Sequence, residues 1–222
     1  MRVKRKKRLN TQGFTMVELL VAMAVSLLAI GAIYSTFLNQ FKSYQIQEEV
    51  AAMQQNIRAA MFHMQREIRM AGCDPLGTAG AGIISANPTS IRFKEDVWAG
   101  SAESAPDGDA DDPNEDITYN LDDSDGDGVI DELDRNNQTV AQNIDALNFV
   151  YLDANGSTTT TLADIRSVEI TIVARTGRSL RASPNNIVYK NQRDETILGA
   201  QNDNFSRRRL TAFINCRNLG LN

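Results

Sequence analysis

The stretch Asp123-Ser124-Asp125-Gly126-Asp127-Gly128-Val129-Ile130-Asp131-Glu132-Leu133-Asp134 places carboxylates at positions 1, 3, 5, 9 and 12 of a twelve-residue run. Gly128 falls at position 6, where a chain wrapping an ion must turn sharply, and Val129 offers its carbonyl at position 7. Gathered without a cation, such acids repel one another. Oxygen-only donors in this number suit a hard ion that takes six to eight oxygens, which is calcium. The expected ligands are Asp123, Asp125, Asp127, Asp131 and Asp134, completed by the Val129 carbonyl, with Ile130 anchoring the loop to a core. A solvated acidic loop is the competing reading. The nearby Asp107-Gly108-Asp109-Ala110-Asp111 also alternates, but Asp112 and Pro113 follow where a glycine turn is needed, and no second site is expected there.

A second chemical pattern opens the chain. Arg2, Lys4, Arg5, Lys6, Lys7 and Arg8 lead through a polar spacer to Leu19–Leu38, twenty residues without a charge. That length crosses a bilayer as a helix, and the cationic cluster holds the N-terminal side in the cytoplasm. Glu18 sits at the mouth of the apolar run, where an unpaired acid costs about 2.5–3.5 kcal/mol. A cleavable secretory signal, with Ala29-Ile30-Gly31 as its small-x-small site, and an ordinary signal anchor both leave this acid unexplained.

Gly13-Phe14-Thr15-Met16-Val17-Glu18-Leu19-Leu20 closely resembles the prepilin motif of type IV pilins and type II secretion pseudopilins. The resemblance implies that a prepilin peptidase cuts between Gly13 and Phe14 and methylates the new Phe14 amine. It also implies that Glu18 pairs with the N-terminal amine of a neighbouring subunit, so that assembly satisfies the acid. The calcium loop resembles the EF-hand type, except that Asp134 replaces the usual bidentate Glu, as in dockerin-like ligation.

Composition bounds the rest. Six of the 23 Lys+Arg lie in residues 1–13, so the remainder sets 17 basic against 28 acidic residues, a balance of −11. Such a body disfavours nucleic-acid binding. The two cysteines, Cys73 and Cys216, form no CxxC pair, and on an exported body a disulfide between them is expected. His63 is the single histidine. With no Ser/His/Asp set, no histidine metal cluster and no phosphate-binding glycine loop in the sequence, a structural subunit is expected rather than an enzyme.

The elements that must carry these groups follow from periodicity. No proline interrupts residues 14–74, and Val50, Met53, Ile57, Met61, Met64 and Ile68 recur at helical spacing. One helix is predicted from about Thr15 to Met70, stopped by Gly72 and Pro75. Strands are predicted at 82–85, 90–93, 117–120, 147–152, 167–173 and 210–216, the fifth with one buried face. Asp153-Ala154-Asn155-Gly156 reads as a turn. The fold class is α+β: a long N-terminal helix, membrane-spanning in its first half, packed against a C-terminal antiparallel sheet domain. The domains are a leader at 1–13, a transmembrane or filament-core helix at 14–41, its amphipathic continuation at 42–72, and a β-rich body at 73–222 with an acidic insertion at about 103–135.

The terminal Arg207-Arg208-Arg209-Leu210-Thr211-Ala212-Phe213-Ile214-Asn215-Cys216-Arg217-Asn218 resembles the closing strand of PilW-type minor pilins, and a solvated or intersubunit strand is expected there. The resemblance implies a minor pilin of type IV pilus initiation or tip assembly. A J-type pseudopilin of type II secretion and a calcium-dependent tip adhesin are the alternatives. Implied partners are the peptidase, other pilins and the inner-membrane assembly platform. The precursor is expected in the inner membrane with its C-terminus periplasmic, and later in the pilus at the cell surface. Mass spectrometry of membrane-extracted protein is expected to find an N-methylated Phe14 start; an intact Met1 or a start after Gly31 contradicts the prepilin reading.

Overall fold

The computed structural model describes residues 13–97, 106–112 and 114–220. Leader residues 1–12 and the start of the acidic insertion lie outside the described residues. One helix, α1, runs Met16–Met70, and the chain divides into two units, 1–47 and 48–222.

In the first unit, α1 is long and apolar enough to cross a membrane. Phe14, Leu20, Leu28, Ile33 and Phe37 are all exposed. Its polar side chains bond locally: the Ser26 and Thr36 hydroxyls donate to the Ala22 and Ala32 carbonyls at 2.7 and 3.0 Å. A hydroxyl satisfied one turn back is compatible with hydrocarbon around the helix.

In the second unit, the remaining turns of α1 bury Met53, Ile57, Ala60, Met61, Met64 and Ile68. Strands β1 (Ile83–Asn87), β2 (Ser90–Lys94), β3 (Asp116–Asp122), β4 (Glu132–Arg135) and β5 (Gln138–Ala141) pair antiparallel in sequence order. A second sheet joins β6 (Ile144–Leu152), β7 (Ser167–Arg175) and β10 (Arg207–Asn215) in the order β10-β7-β6; β8 (Tyr189–Lys190) and β9 (Thr196–Leu198) form a short pair. The helix seam and the inward residues of both larger sheets make one core. The Tyr151 hydroxyl stitches the sheets together through the Asn87 and Ser90 carbonyls, at 2.9 and 3.0 Å.

All six predicted strands are present with shifted ends: β1 starts at Ile83, and β10 starts earlier, at Arg207, and stops at Asn215. β4 and β5 were not foreseen, because they lie in and just beyond the acidic run. The signal for them is Asn136-Asn137, both at positive φ (51° and 61°), a two-residue hairpin turn that asparagine tolerates. The acidic insertion is therefore not a free loop: β3 and β4 lie within it. β7 also departs from expectation, being buried on both faces up to Ala174. Val168, Ile170, Ile172 and Ala174 enter the main core, while Val173 packs with Tyr189, Ile197 and Leu198 of the β8–β9 pair. A central strand covered on its second side buries its alternate residues too. The expected turn at 153–156 forms, with the Asp153 carboxylate accepting from the Asn155 and Ser157 amides at 2.8 and 2.9 Å.

Glu67 of α1 ties the helix to the first sheet. It accepts from the Tyr119 hydroxyl at 2.5 Å and from Arg135 Nε at 2.9 Å. Burial first, and then the Glu67 bond, pushes the Tyr119 hydroxyl pKa up, so it remains a donor. Glu67→Ala is expected to lower stability by about 2–3 kcal/mol, because Arg135 and Tyr119 lose a shared, partly buried acceptor. Glu67→Gln is expected to recover part of the loss. Urea unfolding of the full-length chain in detergent checks both.

Candidate functional site

Two places carry chemistry. The first is the head of α1, where Gly13, Phe14 and Thr15 precede the helix. Phe14 is 89 % exposed, and among the described residues a Cβ added at Gly13 meets nothing within 4 Å. Thr15 and Glu18 form a capping box. The Thr15 amide and hydroxyl both donate to Glu18 Oε2 at 2.8 Å, and the Glu18 amide donates to Thr15 Oγ1 at 3.2 Å. The acid expected to be unpaired within one chain thus has a local partner. The spacing Thr-x-x-Glu ahead of an apolar run is the sequence signal for it. These bonds occupy Oε2, and a carboxylate has about four lone-pair sites over two oxygens.

The second place is the β3–β4 connection. Ligand oxygens of Asp123, Asp125 and Asp127 lie within 4.8 Å of one another. Successive turns hold them: the Asp127, Gly128 and Val129 amides donate to Asp125, Asp123 and Asp127 at 3.0, 3.0 and 2.8 Å. Gly128 has φ 89°, the left-handed conformation that its motif position requires.

Three of the expected loop residues behave differently. Asp131 is buried and pairs with Arg175, whose other nitrogen donates to Asp145 at 2.8 Å. Asp134 stands on β4, where its Oδ2 accepts from the Ser124 hydroxyl. Ile130 is 64 % exposed and does not anchor the loop; Leu133, fully buried, does so from β4. Glu132 occupies no ligand position of the linear motif. It is buried, and that burial, followed by the Asp131 and Asp125 carboxylates, pushes its pKa up to about 7. Period-two alternation on β4, with Leu133 inward, is the signal that pairs Glu132 with Asp134. The second alternating run forms successive side-chain turns, with the Asp109 and Asp111 amides donating to Asp107 and Asp109 at 3.2 and 3.3 Å.

Both cysteines are thiols here. Their chain neighbourhoods meet nonetheless. Gly72 (φ 77°) stops the helix so close to the C-terminal segment that an added Cβ would lie 2.6 Å from Leu219 Cδ2, and Asn218 Nδ2 donates to the Met70 carbonyl at 3.2 Å. Burial pushes the Cys216 thiol up to about 12; burial, then Glu95, Asp96 and Asp74, raises Cys73.

The arginine triplet is split. The Arg207 side chain is 3 % exposed and bonds Asp203 through both terminal nitrogens at 2.5 Å, and also Asp145. Arg209 donates to the Lys190 carbonyl at 2.7 Å, and Arg208 is exposed. The expected solvated or intersubunit strand is thus corrected at Arg207, which closes an intrachain network because two acids face it from β6 and from the segment before β10. His63 is half-exposed, 3.9 Å from Glu67.

Residues 8–34 match the prokaryotic N-terminal methylation motif. No curated protein matches the chain. A type IV-like pilin from Thermus thermophilus is similar in structure at 12 % identity with a TM-score of 0.48, over 79 % of this chain and 98 % of that one.

Proposed function

From a chain that carries the prokaryotic N-terminal methylation motif, and is in that respect a type IV pilin-like protein, we propose a PilW-like minor pilin, a structural subunit of type IV pilus initiation or tip assembly. Prepilin peptidase removes the leader at Gly13 and methylates Phe14. The precursor spans the inner membrane once with its C-terminal body periplasmic, then joins other pilins through the assembly platform. The observation that carries this reading is the head of α1: an exposed Phe14 after Gly13, a helix-capping Glu18, and an exposed apolar helix behind them. The arginine-rich closing strand followed by Arg217-Asn218 supports the PilW-like assignment, and a J-type pseudopilin of type II secretion is the alternative.

In this reading Glu18 has two uses. Oε2 caps the chain's own helix, and the carboxylate's remaining lone pairs receive a neighbour's methylated amine, a charge pair in surroundings that strengthen it. Glu18→Ala is expected to be cleaved and methylated normally yet to be missing from sheared filaments, as read by immunoblots of the membrane and filament fractions. Normal incorporation contradicts the pairing.

We also infer that Cys73 and Cys216 join after export. Two electrons and two protons pass to an external disulfide oxidant, and the bond closes a span of 143 residues, taken as 216 minus 73, worth up to about 5 kcal/mol on chain-entropy grounds. The meeting of residues 70–72 with 218–219 supports this. Raised thiol pKa values slow exchange in the folded body, so oxidation belongs to the folding stage. Protein extracted without reductant is expected to take up no thiol probe before reduction and two equivalents after it; two equivalents at once contradict the bond.

A further inference from the structure

The β3–β4 connection contains buried carboxylate oxygens with nothing to bind. Asp123 Oδ1, Glu132 Oε2 and Asp134 Oδ1 are each shielded from water and have no hydrogen-bond partner among the described residues. Glu132 and Asp134 are 2 % and 1 % exposed. They are alternate residues of β4, so they share one face, while Leu133 between them enters the core. Asp134 is turned toward the loop, since its other oxygen accepts from Ser124, which lies between Asp123 and Asp125. Glu132 lies on that same face of β4, where burial, then Asp131 and Asp125, push its pKa up. Opposite them, Asp123, Asp125 and Asp127 already converge. An anionic oxygen taken from water without a donor is among the costliest groups a fold can hold. A cation held by the three converging aspartates and reached by the β4 acids compensates such oxygens.

We propose that Asp123, Asp125 and Asp127 of the loop, together with Glu132 and Asp134 of β4, bind one calcium ion that fastens the β3–β4 connection onto the sheet. Among its carboxylates, the ligand set departs from the linear motif at one position. Asp131, the ninth residue of the motif, is held by Arg175, and Glu132 takes its part. Loop and strand supply donors from two sides, as a wrapping site for calcium requires. Carboxylates in this number and the open geometry favour calcium over magnesium, which demands a tight octahedron and keeps its waters. Binding replaces mutual repulsion among the acids with attraction to a common centre, and so orders the surface that this hairpin end offers. The inference stands apart from the proposed pilus role.

The full-length protein in detergent, stripped with chelator, tests it by calorimetric titration with calcium chloride and by thermal unfolding. Wild type is expected to bind one calcium with a dissociation constant of about 10⁻⁵–10⁻³ M, to gain thermal stability with it, and to respond weakly to magnesium. Asp123→Asn with Asp125→Asn is expected to abolish the heat. Glu132→Gln and Asp134→Asn are each expected to weaken binding at least about tenfold, no less than the loss typical of an outer-shell partner, and to unfold no earlier than wild type in chelator, since each removes a repelling charge. Asp131→Asn is expected to weaken binding less than Glu132→Gln does, because the Asp131 carboxylate is engaged by Arg175. Absence of calcium heat in wild type overturns the site. Loss of binding in Asp131→Asn with retention in Glu132→Gln overturns the ligand set and restores the linear motif. If a variant is found unfolded in chelator by circular dichroism, the wild-type titration and the paired comparison of Glu132→Gln with Asp131→Asn still decide.

Discussion

The C-terminal half of α1 presents a seam of Met53, Ile57, Met61, Met64 and Ile68, and both larger sheets of the body pack onto it. Each such side chain, fully removed from water, contributes about 1.5–3 kcal/mol. The sheets cannot dispense with it: each is open, and its inward residues need an apolar partner. Ile91, Phe93, Ile117, Tyr119 and Leu133 come from the first sheet, and Val168, Ile170, Ile172 and Ile214 from the second. The helix is thus the piece on which two otherwise separate antiparallel sheets become one core. Its methionines fit this position, being unbranched and able to fill the uneven ground between two sheets.

Around that core the chain handles acids by compensation. Glu67 is held by Tyr119 and Arg135, Glu169 by Arg193, Asp131 and Asp145 by Arg175, and Asp145 and Asp203 by Arg207. Arg175 also lies 5.3 Å from the centre of the Phe205 ring. Arginine suits these positions because its planar fork reaches two carboxylates at once and keeps its charge when buried. At the head of α1 the same need is met by main-chain and hydroxyl donors of Thr15. Against this background Glu132 and Asp134, like Glu95, Asp96 and Glu115, keep buried oxygens without a partner among the described residues.

The sequence by itself determined whatever depends on residues close along the chain. Helical periodicity marked the seam of α1, Gly72 its end, period-two runs the strands, and Gly13-Phe14 with Glu18 the processing motif, since each is a local pattern with one physical meaning. Asp123, Asp125 and Asp127 belong to this class, because Asx turns and Gly128 bring them together over five residues. Tertiary structure alone decided the rest. Asp131 was assigned by spacing to a metal and went to Arg175, a residue of β7. Glu132 lies outside the ligand positions of a linear motif, and β4 sets it on one face with Asp134, both buried. Arg207 read as part of a solvated triplet and was buried by acids brought from β6 and from Asp203. Spacing along a chain fixes which side chains can face one another within a turn. It cannot say which charge a second sheet will bring to meet them, and for a buried ion that distant partner decides the free energy.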